Sequence, residues 1–245
     1  MSGRSALAAL AVAGATGLTA LGAAIAGGQE IQPREQTVIG QSVGDRAIVA
    51  ERIGDPGADR VILAVGVIHG DEPGGLEVID ELRRDGASEG SQLWLISALN
   101  PDGLNSGARR NAHGVDLNRN FPYRWRGDVP PSSGYYPGPS PGSEPETRAA
   151  MELIARIRPD VSVWYHQPWG AVLACKGAPR LAARYAKLVK MRTSCRGKRL
   201  RGTAISWENA ALGGTAFVVE FPNGAVSQRT ARRHARAVAI IAGDD

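Results

Sequence analysis

Twelve residues, Val61–Glu72 (VILAVGVIHGDE), constrain this chain more than any other stretch. Val61 to Ile68 is a nearly unbroken apolar run with a β-branched bias, the pattern of a strand buried on both faces. Such strands sit in sheets with helices on each side, so the run predicts an α/β fold. It ends in His69-Gly70-Asp71-Glu72, which sets two metal-binding side chains at the carboxyl edge of a strand. Open α/β sheets bind ligands at that edge, because loops there vary without disturbing the sheet. His and Glu three residues apart can both point at one Zn²⁺, although a lone HxxE pair arises by chance in many chains.

The chain has 245 residues, 43% apolar and 22% charged, which suits one sizeable core and a single domain. Residues 1–26 stand apart from it. Arg4 precedes a charge-free stretch of apolar and small residues, and Ala24-Ile25-Ala26 fits the small-x-small pattern of a signal-peptidase site. The segment reads as a signal peptide, leaving 27–245 as the folded domain of a secreted protein. The alternative is a retained membrane anchor, for which its many Ala and Gly residues make a poor apolar span.

Without that segment, 28 basic residues face 24 acidic ones. The balance hides an asymmetry, since Lys176–Arg201 holds ten Lys or Arg and no acid, and Arg229, Arg232, Arg233 and Arg236 form a second basic group. These could hold an anionic partner such as a cell-wall polymer, or form a solvated surface. Nucleic acid is disfavoured as a partner, because no binding motif accompanies the charge. Cys175 and Cys195 make an even count in an exported chain, which predicts a disulfide, the alternative being two buried thiols.

Along the rest of the chain, Gln29–Gln36 reads as a polar lead-in, and Ala47–Ile53 with Arg60–Ile68 as a hairpin turning at Gly54-Asp55-Pro56-Gly57. Pro73, then Leu76, Ile79 and Leu82, then Gly86, predict a helix of about three turns. Gln92–Leu99 predicts a strand stopped by Asn100-Pro101-Asp102-Gly103. Residues 105–142 lack periodicity, a loop length that is uncommon unless functional. Ser143-Glu144-Pro145-Glu146 reads as a capping box for a helix that buries Ala150, Leu153, Ile154 and Ile157 and ends before Pro159. Further strands are predicted at Val161–Tyr165, Val172–Cys175 and Thr215–Val219, with helices near Pro179–Met191 and Ser227–Ala242.

Three predicted strands thus end in ionisable residues: His69 with Glu72, then His166, then Glu220. A lone strand-end histidine is most often structural. A His-x-x-Glu pair plus a distant strand-end His, however, makes the His₂Glu set that leaves zinc one open position.

The segments VIHGDEPG at Val67–Gly74, NPDG at Asn100–Gly103, GVDLNRNFP at Gly114–Pro122, SEPET at Ser143–Thr147, His166 after a strand, and FVVEFP at Phe217–Pro222 occur in this order. With them the chain resembles the zinc carboxypeptidases of the carboxypeptidase A type, in style closest to compact bacterial murein peptide amidases. The resemblance implies an α/β single domain with a mixed, mostly parallel sheet and helices on both faces. It implies one Zn²⁺ per chain held by His69, Glu72 and His166, with Glu220 as the general base that activates zinc-bound water. It assigns Asp116 to orienting a zinc-bound histidine, Arg109 to stabilising the oxyanion, and Asn118 with Arg119 to clamping the substrate carboxylate. Arg110 competes with Arg109 for its role, and His113 falls off the motif. The family's mobile tyrosine upstream of the base has no counterpart here, since no tyrosine follows Tyr185; Trp207, Tyr135 and Tyr136 are candidates to replace it. The activity implied is hydrolysis of a peptide bond next to a free carboxylate, in a small or cell-wall peptide, by a monomer outside the cytoplasm. A zinc deacylase of the aspartoacylase or succinylglutamate desuccinylase type and an inactive wall-binding module are the competing readings.

Overall fold

Alternation along the central strands explains why helices cover both faces of the sheet. In the computed structural model, which describes residues 25–26, 29–30, 32–173, 179–195, 200–213 and 215–243, two contact units are distinguished, Met1–Ile31 and Gln32–Asp245. In the first, β1 (Ile25–Ala26) pairs antiparallel with β2 (Gln29–Glu30). The second holds eight strands: β3 (Arg34–Gln41), β4 (Ala47–Gly54), β5 (Arg60–Val67), β6 (Ser91–Ala98), β7 (Val161–His166), β8 (Trp169–Leu173), β9 (Arg192–Ser194) and β10 (Thr215–Pro222). Their spatial order is β3-β4-β6-β5-β7-β10-β8-β9, with the β6-β5-β7-β10 centre parallel throughout.

Ile62, Ala64, Val161, Val163, Phe217 and Val219 point to one face, where α1 (Gly75–Asp85), α4 (Pro179–Val189) and α6 (Gln228–Ala242) pack. Leu63, Val65, Trp164 and Val218 point to the other, against α3 (Pro145–Ile157) and α5 (Ala204–Leu212). The short helix α2 (Pro101–Ser106) follows β6, its Asn100 cap accepting from Gly103 N. The α/β fold is the one the strand patterns predict, and the mixed sheet with helices on both faces is the architecture the family resemblance implies.

Three local expectations are corrected. Ala47–Ile53 and Arg60–Ile68 do not form a hairpin, because β6 lies between them. Gly54, at φ 99°, lies against β6 so closely that a Cβ would sit 2.6 Å from Ser91 O, and the chain exits toward β5 through a longer turn. The true hairpin partner of β4 is Arg34–Gln41, which starts in the supposed lead-in Gln29–Gln36 and runs past it, and was not expected because this edge strand is largely exposed and polar. Nor does the capping box form. Glu144 is the N-cap without a side-chain cap bond, and the Glu146 carboxylate accepts instead from Val43 N and Asn111 Nδ2, both at 3.1 Å.

Apart from Ile25–Ala26, residues 1–26 lie outside the described residues, as does Cys175 and with it the expected Cys175–Cys195 bond. Among the described residues no helix is long and apolar enough to cross a membrane.

Candidate metal centre

Because β5, β7 and β10 are parallel neighbours, their carboxyl ends meet at one edge. The turn after β5 carries His69 and Glu72, β7 ends at His166, and Glu220 on β10 is the register partner of His166. Gly70 lets this turn press against α2, where a Cβ would meet the Gly103 carbonyl carbon at 1.9 Å. His69, Glu72, His166 and Glu220 are all buried.

His69 Nδ1, Glu72 Oε2 and His166 Nδ1 form a triangle with edges of 3.0, 2.8 and 3.1 Å. Three lone-pair donors converge there with too few protons to satisfy one another, and a cation among them would answer all three. The donor set suits zinc: ligands about 2.0–2.1 Å from a tetrahedral ion lie about 3.3 Å apart, so the triangle need open only slightly.

Asp116 is fully buried behind this triangle. Its Oδ1 meets His69 Nε2 at 3.1 Å and accepts from Asn118 N at 3.0 Å, while Oδ2 accepts from Arg109 Nε and Nη2 at 3.1 and 2.9 Å. Burial alone would raise the Asp116 and Glu72 carboxyls. For Asp116 the charge and hydrogen bond of His69, then Arg119 and Arg109, outweigh it; for Glu72, hydrogen bonds from His166 and His69 do. Both stay far below the usual carboxylate range. Glu220 differs: burial and the repulsion of Glu72 push its carboxyl up to about 7, and it accepts from Trp169 N at 3.5 Å. Among the described residues it makes no salt bridge to an arginine.

The two arginines of the motif are engaged unequally. Arg109 spends its fork on Asp116 and donates Nη1 to Glu72 Oε1 at 2.9 Å. Arg119, half-buried, donates among the described residues only Nη1 to Asn118 O, at 2.6 Å, and burial followed by repulsion from Arg109 lowers its pKa. Asn118 turns its amide nitrogen toward His166 Nε2 at 3.4 Å while its oxygen accepts from Ala204 N. Arg110 points away, into the carbonyls of Gly114, Pro131 and Ser133, which removes it as a rival to Arg109. His113 pairs with Glu144 and stays out of the triangle.

The sequence reading missed Gln167. Its amide accepts from Gly74 N at 2.9 Å and donates to Pro222 O and Gly224 O at 3.1 and 2.8 Å, while its own N–H donates to Glu72 Oε2 at 3.2 Å. One side chain therefore joins the segments that follow Glu72 and Glu220. Only its place directly after His166 could have signalled this.

The zinc carboxypeptidase family (peptidase M14) matches residues 32–174. Murein peptide amidase A of Escherichia coli strain K12 is 38% identical over 123 residues, covering 46% of this chain and 49% of that protein. Carboxypeptidase SOL1 of Arabidopsis thaliana is 31% identical over 140 residues, covering 51% of this chain and 26% of that protein. The chain thus spans half or less of the length of these curated relatives. Among solved structures, murein-tripeptide amidase MpaA from Escherichia coli O157 aligns with a TM-score of 0.68 at 26% identity, over 86% of this chain and 92% of that one. Carboxypeptidase A from Helicoverpa armigera aligns with a TM-score of 0.72 at 19% identity, over 84% and 69% of the two chains, a likeness of fold.

Proposed function

This chain belongs to the zinc carboxypeptidase family, and we propose that it hydrolyses the peptide bond next to a free carboxylate, in a small peptide of the murein type, outside the cytoplasm. The observation that carries this reading is Arg119. A half-buried guanidinium with one neighbouring carbonyl as its hydrogen-bond partner among the described residues keeps donors for an anion, and its planar fork matches a carboxylate. Beside it, Asn118 lies between Arg119 and His166 and helps position the same group.

His69, Glu72 and His166 would hold the zinc. When bound, the ion supplies positive charge beside the scissile carbonyl and acidifies water. Glu220 accepts the proton of the attacking water and returns it to the leaving amine, a role suited to a carboxyl whose burial holds its pKa near neutrality. Arg109 bears on the oxygen that gains charge, and Asp116 holds both Arg109 and His69 in place. The signal-like pattern of residues 1–26 supports export, and the likeness to the murein peptide amidases supports murein peptides as substrates.

Replacing Arg119 with Ala tests the reading. KM should rise by at least about tenfold for a peptide with a free terminus, with kcat little changed, and should not rise for the amidated peptide. Equal losses on both substrates would shift the assignment to a deacylase.

A further inference from the structure

The Arg119 guanidinium carries the clamp, yet a long side chain with one hydrogen bond among the described residues, to its neighbour's carbonyl, is poorly fixed. A second cation, Arg109, repels it from nearby. What lies against both is an aromatic ring. The guanidinium carbon of Arg109 stands 5.2 Å from the centroid of Tyr135, and that of Arg119 stands 5.5 Å from it. A cation over a ring face is attracted by its quadrupole, and one ring placed against two guanidiniums offsets their mutual repulsion.

Tyr135 is itself held, although it lies in the long Gly- and Pro-rich loop. Ser133 N donates to Pro130 O at 2.9 Å, Tyr136 N to Ser133 O at 3.2 Å, and Tyr135 N to Ser133 Oγ at 3.1 Å. Arg110 Nη1 pins the same turn through Pro131 O and Ser133 O. The turn is then fastened to the site, because Tyr136 O accepts from Asp116 N at 2.8 Å. Asp116 is the residue that also holds Arg109 and His69. The Tyr135 hydroxyl has no hydrogen-bond partner among the described residues, and the side chain is 57% exposed. The ring, not the hydroxyl, is what the site uses.

We infer that Tyr135 is a positioning residue for carboxylate recognition: its ring fixes the Arg119 guanidinium against Arg109 and so sets where the substrate terminus is held. This rests on the carboxypeptidase reading above. It also gives Tyr135, from the loop before α3, a place in a site whose sequence has no tyrosine near the base.

The test uses zinc-loaded protein and two peptides, one with a free terminal carboxylate and one amidated. Tyr135→Ala should raise KM for the free peptide by about 5- to 20-fold, leave kcat within about twofold, and leave the amidated peptide unaffected. Tyr135→Phe should match the wild type within about twofold, while Tyr135→Leu, which keeps bulk without a π face, should behave like Ala. In an Arg119→Ala background Tyr135→Ala should add nothing. Calorimetric binding of the free peptide to Glu220→Gln protein, with and without Tyr135→Ala, should show the same loss, and unchanged Tm for each variant separates it from misfolding. Loss in Tyr135→Phe equal to that in Tyr135→Ala, full retention in Tyr135→Leu, or an undiminished loss in the Arg119→Ala background overturns the inference. If Arg119→Ala discriminates the two peptides while Tyr135→Ala does not, the inference about the ring falls and the carboxypeptidase reading stands; if Arg119→Ala does not discriminate them, both fall.

Discussion

Two buried acids behave in opposite ways. Asp116, behind the metal-ligand triangle, is fully buried and collects His69 and two nitrogens of the Arg109 guanidinium, so it stays ionised far below the usual range. Glu208 on α5, as deeply buried, reaches mid-strand β7 and among the described residues finds only neutral donors, Ser162 Oγ and, at 3.2 Å, Trp164 Nε1. Burial therefore prevails, and the Glu208 carboxyl is pushed up to about 7. The lesson is that the charge of a partner, more than depth, decides the state of a buried acid. Glu220 belongs to the site by position and to the Glu208 class by environment, buried without a cationic partner. A carboxyl of that kind can take and release a proton near neutral pH.

The largest effect should come from removing that property. Glu220→Gln keeps the shape but cannot accept a proton, so kcat should fall by at least about 10²-fold while equilibrium zinc content is unchanged. Near-normal turnover would break the analogy between Glu220 and a proton-transferring acid.

Glu208 allows the comparison to be tested through stability. The folded chain keeps the Glu208 proton up to about pH 7, whereas an unfolded glutamate loses it near about 4.3. The folded state binds more protons between those values, so stability falls as pH rises across that window, by about 4 kcal/mol in all. Glu208→Gln should remove this loss. Chemical denaturation at pH 5 and pH 8 would show a smaller difference for the variant, and an unchanged difference would mean that Glu208 ionises at no cost.

The smallest of the three effects should follow Asp116→Asn, which removes the anion but keeps the shape. Zinc affinity, measured by competition with a chromogenic chelator, should weaken by about 10- to 100-fold, the usual scale for a residue that orients a metal-binding histidine. Unchanged affinity would mean that neutral donors serve His69 as well as a carboxylate does.

Much of this site was legible in the sequence because its residues stand at ends of apolar runs. A strand's length and hydrophobicity are local properties, and an ionisable residue closing such a run is conspicuous, as at His69, His166 and Glu220. Pairing is different. Nothing within Ala47–Gly54 says that β6, some forty residues on, takes the edge offered to β5. Edge strand β3 was hidden for a related reason, since a largely exposed strand carries no apolar period.

By itself, then, the chain determined an α/β layout, four of the helices that pack on it though not α5, and which side chains would reach the carboxyl edge of the sheet, because burial imprints a period on neighbouring residues. Tertiary structure alone decided the strand order, the fuller engagement of Arg109 than of Arg119, the ring of Tyr135 against both, and the buried acid at Glu208. The basic groups of α4 and α6 became neighbours in the same way, with Arg233 Nη1 reaching Val189 O at 3.3 Å. Each of these depends on residues far apart in sequence, and a contact between distant residues leaves no periodic mark on either of them.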